Sequence, residues 1–186
     1  MRFQDQTFEK IDFSKTDLST EYDNCTFENC QFTGILLNSI VFTECHFFEC
    51  DLSNAQLLNT SFKDVAFEKC KMLGLRFEDC KNFLLEFYFI ECVLNFSSFY
   101  GLNIQKQRFE KCQLHEVDFT ECNLSGGLFR ECELNNAIFG KTNLEKADLQ
   151  SARNFFISPT ENKLKGAIFS KDELYGLVSH LGIIVE

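Results

Sequence analysis

Large apolar side chains recur at every fifth position through most of this sequence. Between residues 109 and 134 they are Phe109, Leu114, Phe119, Leu124, Phe129 and Leu134. An α-helix has about 3.6 residues per turn and a strand alternates about every 2 residues, so neither places these side chains on one surface. The period of five therefore excludes a helix bundle or an ordinary flat sheet as the main architecture.

The repeat continues in both directions from this stretch. From Phe3 to Leu149, 29 of 30 such central positions are apolar, and the exception is Asn82. One step is four residues long, after Leu18, and a slip of two residues falls between Asn82 and Leu94. Elsewhere the phase is constant, which indicates a single structural unit repeated along the chain.

The position two residues before each central residue forms a second regular set. All ten cysteines fall there: Cys25, Cys30, Cys45, Cys50, Cys70, Cys80, Cys92, Cys112, Cys122 and Cys132. The other members are mostly small or aliphatic, as at Ala55 and Val117, whereas the remaining three positions of each five are mostly polar. Five residues with two inward side chains make one side of a square coil, and four such sides make a solenoid turn.

The cysteines and the composition also define the environment that we expect. A disulfide scaffold is typical of small exported chains. This chain has 186 residues, its opening MRFQDQTFEK has no apolar leader, and its cysteines share the grid of the Phe residues. We therefore predict buried free thiols in a soluble, cytoplasmic protein. No apolar run approaches the roughly 20 residues of a membrane span, so we expect no membrane contact.

Two stretches match a known repeat motif. TNLEKADLQSA (142–152) and IDFSKTDLS (11–19) fit A(D/N)LXX, so the chain resembles a pentapeptide-repeat protein. The resemblance covers about residues 3–154 and implies an all-β fold, a right-handed quadrilateral β-helix. We expect a β-helix over 1–154 and a capping or dimerisation tail over 155–186. At about 4.8 Å per coil, seven to eight coils would give a rod of roughly 35–40 Å.

The ends of the chain carry a narrower resemblance. TFEKIDFSKTDLS (7–19), CNLSGGLF (122–129) and NKLKGAIFSKDELYGLVSHLGIIV (162–185) are similar to the quinolone-resistance (Qnr) branch, including its mycobacterial relative. This implies a homodimer that resembles duplex DNA in shape and charge, binds DNA gyrase and topoisomerase IV, and counters quinolones. Since the repeat has room for only the short break between Asn82 and Leu94, the chain resembles the loopless members.

The tail has the pattern of a short amphipathic helix. Ser170 and Glu173 have the spacing of a capping box, and Gly182 suits a helix stop before a short strand at 183–185. The apolar tail residues are Leu174, Leu177, Val178, Leu181, Ile183, Ile184 and Val185. Two interpretations remain open: the tail caps the last coil, or it joins two chains tail to tail.

Charge is the feature of the sequence that bears most directly on a partner. The net charge is −10, and residues 16–62 contain no Lys or Arg. Negative charge excludes ordinary nucleic-acid binding and suits a protein that occupies a basic DNA groove. From charge distribution alone, the partner-binding candidates are Asp17, Glu28, Glu44, Glu49, Asp51, Glu116, Asp118, Glu121 and Glu131. The alternative is that acidity only keeps an apolar-rich rod soluble.

No residue pattern indicates catalysis, a metal site or a cofactor. His46, His115 and His180 are scattered, the cysteine spacings are not those of a zinc site, and the glycines form no phosphate-binding loop. We therefore expect no enzyme, metal or cofactor. Two functional hypotheses remain: a DNA-mimicking binder of type II topoisomerase, and an interaction or immunity module with a different protein partner.

Overall fold

The computed structural model describes residues 2–184, and its chain winds into parallel coils stacked along one axis. The fold class expected from the sequence, a right-handed quadrilateral β-helix, is confirmed, with about 8 turns. Each coil has four sides, which we name by their central residues. Side A contains Phe42, side B contains Phe47, side C contains Leu52 and side D contains Leu57, each repeated about twenty residues along the chain.

Two sides pair as regular parallel sheets. Side A forms four strands, β1 (Arg2–Gln4), β3 (Glu21–Asp23), β5 (Val41–Thr43) and β7 (Ser61–Lys63). Side B forms nine: β2 (Thr7–Glu9), β4 (Thr26–Glu28), β6 (His46–Phe48), β8 (Val65–Glu68), β9 (Phe87–Ile90), β10 (Arg108–Glu110), β11 (Leu128–Arg130), β12 (Asp148–Leu149) and β13 (Ile168–Phe169). Sides C and D are joined by single bridges such as Asp51↔Lys71, with 3₁₀ turns at Phe13–Lys15 and Phe77–Asp79.

The core consists of the two inward positions of each side. Phe rings on side B stack from coil to coil, with ring centroids 4.5 Å apart for Phe27 and Phe47 and 5.0 Å apart for Phe47 and Phe67. All ten cysteines are buried and free, which confirms the prediction of buried thiols. Each coil thus buries its apolar face on the next, as the period of five requires.

The two irregular steps of the sequence appear as changes of coil length. Phe3 pairs with Tyr22, an offset of 19, whereas Tyr22 pairs with Phe42, an offset of 20. Phe67 pairs with Phe89, so the coil between them has 22 residues. The predicted four-residue step after Leu18 is confirmed, and the coil with two extra residues ends before Phe87, at the start of the predicted interval from Asn82 to Leu94.

The assignment of two central residues around the slip was wrong. Asn82 is exposed, as are Phe83 and Leu84, because the two extra residues bulge outward instead of filling the core. Phe87 pairs with Val65 and so occupies the compact position, while Phe89 joins the stack between Phe67 and Phe109. A polar residue at an inward position is accommodated by displacing it outward, since a buried unpaired amide is costly.

Coil pairing continues beyond residue 154. Asn143 bridges to Lys163, and Leu149 pairs with Phe169 in β13, so residues up to 169 complete a final coil. The segment that follows the coils begins at Ser170.

The tail forms one irregular helical stretch. It consists of a 3₁₀ turn (Lys171–Glu173), the helix α1 (Tyr175–Val178) and a second 3₁₀ turn (Ser179–Leu181). The Ser170 hydroxyl accepts a hydrogen bond from the Asp172 amide at 3.2 Å, not from Glu173 as a capping box would require. Gly182 ends the stretch at φ 66°, as predicted. Ile183 and Ile184 do not form the expected strand, and Val185 lies outside the described residues.

Within residues 2–184, no helix has both the length and the apolar character needed to cross a bilayer.

Candidate functional site

The corners of the square coil present most of the predicted acidic side chains to solvent. Glu44, Glu49, Glu116, Glu121 and Glu131 occupy corners in left-handed conformation, with φ between 52° and 58°. This conformation costs about 1–2 kcal/mol for a residue with a Cβ. It is offset by hydrogen bonds between coils, since the Glu44 amide donates to the Lys63 carbonyl at 2.8 Å. The backbone therefore fixes these side chains pointing outward.

The other four candidates lie on flat sides, and two of them have hydrogen-bond partners. The Asp51 carboxylate accepts from the Ser53 amide at 2.9 Å, and Asp118 accepts from the Thr120 amide at 2.8 Å. Asp51 also lies 3.8 Å from the Lys71 ammonium. These two carboxylates have local structural partners. Asp17 is exposed on side D, and Glu28 is half-buried on side B.

The nine candidates do not converge on a cleft. They lie on three sides and all four corners of the rod, so the structure offers a distributed acidic surface and not a pocket. Their role as partner contacts stays a prediction.

Negative charge is concentrated in the coils near the amino terminus. Residues 16–62 hold seven carboxylates and no Lys or Arg, a net charge of −7, whereas residues 94–154 hold eight carboxylates and seven Lys or Arg, a net of −1. In the later coils neighbouring charges pair across coils: Lys111 with Glu91 at 3.7 Å, Arg130 with Glu110 at 3.6 Å, and Lys141 with Glu121 at 3.6 Å. The early coils therefore carry most of the chain's charge of −10.

A row of carboxylates at the corner between sides A and B was not singled out from the sequence. Moving from coil to coil, the row contains Asp5, Asn24, Glu44 and Asp64, and continues to Glu86. The Asn24 amide donates to Asp5 at 2.7 Å, so this polar member bridges between coils. The spacings of 19, 20 and 22 residues would have revealed the row, had the outward positions been counted coil by coil.

The carboxylates of this row raise the pKa of a neighbouring tyrosine, Tyr88. The Tyr88 hydroxyl donates to Glu86 at 2.6 Å. This hydrogen bond, together with partial burial and the nearby Asp64, raises the pKa of Tyr88 to about 12. The row is therefore a site where negative charge accumulates, which is what a basic partner surface would recognise.

The candidate dimerisation residues divide into two groups. Leu177 and Val178 are half-buried, and Leu177 packs against the core of the last coil. Leu174, Leu181, Ile183 and Ile184 are exposed, Ile184 to 88%. Tyr175, which the sequence reasoning missed, is also exposed. The tail therefore covers the last coil and still presents an apolar outer surface, so both interpretations of the tail remain compatible with the structure.

One glycine allows the tail to approach the last coil. Gly176 is buried, its carbonyl accepts from the Ile157 amide at 2.9 Å, and an added Cβ would lie 2.1 Å from the Phe155 carbonyl oxygen. The contact requires a residue with no side chain. It was not predicted because Gly176 follows no turn motif.

The histidines of the described residues do not form a reactive group. His46 lies 3.6 Å from Glu68 on side B, while His115 is on side C and His180 is in the tail. Among residues 2–184, no three His, Cys, Asp or Glu side chains are placed to hold one metal ion.

A family model described as pentapeptide repeat region matches residues 20–87 and 84–153. No curated protein matches the sequence. Among solved structures, two trypsin-treated variants of QnrB1, a plasmid-mediated fluoroquinolone resistance protein, superpose over all of this chain. One has a TM-score of 0.65 at 18% identity over 100% of its own length, and the other 0.68 at 21% identity over 92%. At these identities the likeness shows the fold.

Proposed function

Because the chain belongs to the pentapeptide-repeat family, we propose that it is an acidic DNA-mimicking protein that binds type II topoisomerase in place of DNA. The partners would be DNA gyrase and topoisomerase IV, and the consequences would be modulated enzyme activity and quinolone resistance. We place it in the cytoplasm, as a homodimer, with no direct nucleic-acid binding and no catalytic role.

The charge density of the early coils supports this proposal most directly. Residues 16–62 occupy just over two coils, or about 11 Å of rod at about 4.8 Å per coil. Their net charge of −7 amounts to one charge per roughly 1.6 Å, close to the one per about 1.7 Å of duplex DNA. Averaged over the whole rod the chain is much less charged than DNA, so the mimicry applies to one region.

The dimer would extend this mimicry in two directions. Tail-to-tail association would bury Leu174, Leu181 and Ile184 and place the acidic coils at the two far ends of the assembly. Deletion of residues 170–186 should then give a folded monomer, because the coils contain their own core. Light scattering on the intact chain tests the dimer, and a monomeric mass would refute it.

The binding mechanism is tested by titrating gyrase with the protein at low and at high salt, with a linear duplex as competitor. Ionic contacts between carboxylates and a basic groove should weaken steeply with salt, and duplex DNA should displace the protein. A supercoiling assay with and without a quinolone then reports on activity. Tight binding that neither salt nor DNA disturbs would show that DNA mimicry is the wrong mechanism.

Side D favours the second candidate function, an interaction or immunity module with a different protein partner. It exposes Leu36 to 57%, Leu58 to 54%, Tyr100 to 47% and Ile138 to 53%. A surface that only imitates a phosphate backbone has no use for such side chains, whereas apolar contacts are typical of protein interfaces. If the titration detects no gyrase binding, this second candidate function is favoured over the first.

A further inference from the structure

Six of the ten cysteines form one continuous column at the start of side C, one in each successive coil. They are Cys30, Cys50, Cys70, Cys92, Cys112 and Cys132, and each is at most 2% exposed. Each thiol also lies 3.3–3.5 Å from the carbonyl oxygen of a side B Phe in the preceding coil, as Cys50 does from Phe27 at 3.3 Å. The sulfur atoms are thus held in fixed orientation along the rod axis.

Each thiol of this column is the next cysteine neighbour of the one in the coil before it. The Cys50 sulfur accepts a hydrogen bond from the Cys30 backbone amide at 3.4 Å, so the two residues meet across the coil boundary. Neighbouring thiols and burial together raise the pKa of Cys30 and of Cys132. The column therefore stacks one thiol above the next along the rod.

Packing does not require cysteine at these positions. The next member of the same column is Ala152, and the equivalent positions on the other sides are filled by residues such as Ala55, Thr60 and Val65. Any compact side chain completes the coil. Six consecutive cysteines on one side are therefore more than the fold needs.

The spacing of the column matches a linear bridge through a soft metal ion. Adjacent coils are about 4.8 Å apart. A metal–sulfur bond of about 2.3 Å, the length in zinc thiolates, gives roughly 4.6 Å across a linear S–metal–S unit. Thiolates select Cu(I) and similar soft ions. Since no three ligands converge among residues 2–184, two sulfurs per ion is the coordination that the fold offers.

We propose that this column is a binding site for soft monovalent cations, Cu(I) or Ag(I), with one ion in each interval between thiols. At each interval one S–H bond breaks, the proton leaves to solvent, and the ion bonds to the two sulfurs with no change of oxidation state. Each metal ion replaces one proton of equal charge, so the net charge of the buried column does not change. A low-dielectric core would oppose the addition of a net charge. Because the sulfurs are buried, entry requires local opening of a coil and uptake should be slow.

The capacity follows from the geometry. Six thiols leave five intervals, and Cys25 and Cys45, which are one coil apart in the column at the start of side B, provide a sixth. Cys80 has Leu102 as a neighbour in its own column, and Cys122 lies between Leu102 and Thr142. Neither cysteine has a neighbouring thiol, so neither provides an interval.

The test is an oxygen-free titration of the fully reduced protein with Cu(I) alone, followed by desalting and measurement of bound copper. We expect six ions per chain, one proton released per ion, two sulfur neighbours in X-ray absorption, and an unchanged circular dichroism spectrum. Cys70→Ala removes two intervals and should lower the capacity to four. Cys122→Ala leaves the same number of thiols as Cys70→Ala but removes no interval, so it should still bind six ions.

Equal capacities for these two variants would overturn the proposal, because binding would then depend on thiol number and not on the column. Three or more sulfurs per ion, or loss of the circular dichroism signal during uptake, would also overturn it, since either shows binding by a disrupted chain. Where Cys70→Ala does not fold, Cys112→Ala removes two intervals at the other end and makes the same prediction of four.

Discussion

The early and late coils of the rod share one core and differ in their surfaces. Phe47 on side B of an early coil and Phe129 on side B of a late coil are both fully buried. Phe47 stacks on Phe27 and Phe67, and Phe129 stacks on Phe109. Around these cores, residues 16–62 carry a net charge of −7 and residues 94–154 a net of −1. The fold uses only the inward positions, so the outward positions can change sign without changing the coil.

The corner between sides A and B shows this change along a single line. Its early members are Asp5, Glu44 and Asp64, and its later ones include Lys106 and Lys146. The backbone is the same at each of these corners, with φ between 52° and 59°. A partner that recognises negative charge is therefore expected to distinguish the two ends of one uniform scaffold.

The largest expected effect tests whether the cores are equivalent. Phe47→Ala and Phe129→Ala should each lower the free energy of unfolding by about 3–5 kcal/mol, because each leaves a cavity in a stacked array. Chemical denaturation measures the difference. The corner variants Glu49→Ala and Glu131→Ala are the controls and should each change stability by less than about 0.5 kcal/mol. A large inequality between the two Phe variants would contradict the equivalence of the early and late cores.

The second prediction concerns the difference in charge. Replacing Asp17, Glu28, Glu44 and Glu49 by Asn or Gln should lower affinity for gyrase about 100-fold at low salt, because four uncompensated charges are lost. The matched set is Glu116, Asp118, Glu121 and Glu131, which also contains one Asp and three Glu. Its neutralisation should lower affinity less than about 5-fold, since these residues belong to coils with a nearly balanced charge. Isothermal titration compares the two, and equal losses would show that the early coils are not the contact.

The third prediction concerns the boundary between the two regions. Deleting Asn82 and Phe83 restores a coil of twenty residues and places Leu84 at the central position. We expect the free energy of unfolding to rise by about 1–2 kcal/mol, because a fully buried Leu84 would replace the half-buried Leu85 against the core and the bulge would be lost. Thermal unfolding measures it, with the substitution Phe83→Ser as a control that keeps the coil length. Marked destabilisation by the deletion would mean that the later coils require the longer turn.

The smallest effect is expected for single carboxylates. Glu44→Gln should weaken gyrase binding only a few-fold, because the contact is spread over many charges. Glu116→Gln, at a corner of the same backbone geometry in a late coil, should have no measurable effect. A loss of 100-fold from Glu44→Gln alone would indicate a single dominant contact in place of a distributed surface.

The sequence by itself determined the solenoid and its core. Residues at equivalent positions of the five-residue repeat all point the same way, inward or outward. Central residues such as Phe109 and thiols such as Cys112 were therefore correctly assigned to the core without coordinates. The changes of coil length after Leu18 and before Leu94 also followed from counting. Local periodicity is sufficient here because each coil contacts only its neighbours.

Only the tertiary structure determined which residues of neighbouring coils lie next to each other. The outward bulge at Asn82, the shift of Phe87 to the compact position and the docking of Gly176 against Phe155 depend on space available between coils. The row from Asp5 to Glu86 depends on residues about twenty apart being brought to one corner, with offsets that vary from 19 to 22. Periodicity gives the direction of a side chain, whereas its neighbours are set by the register in which the coils stack.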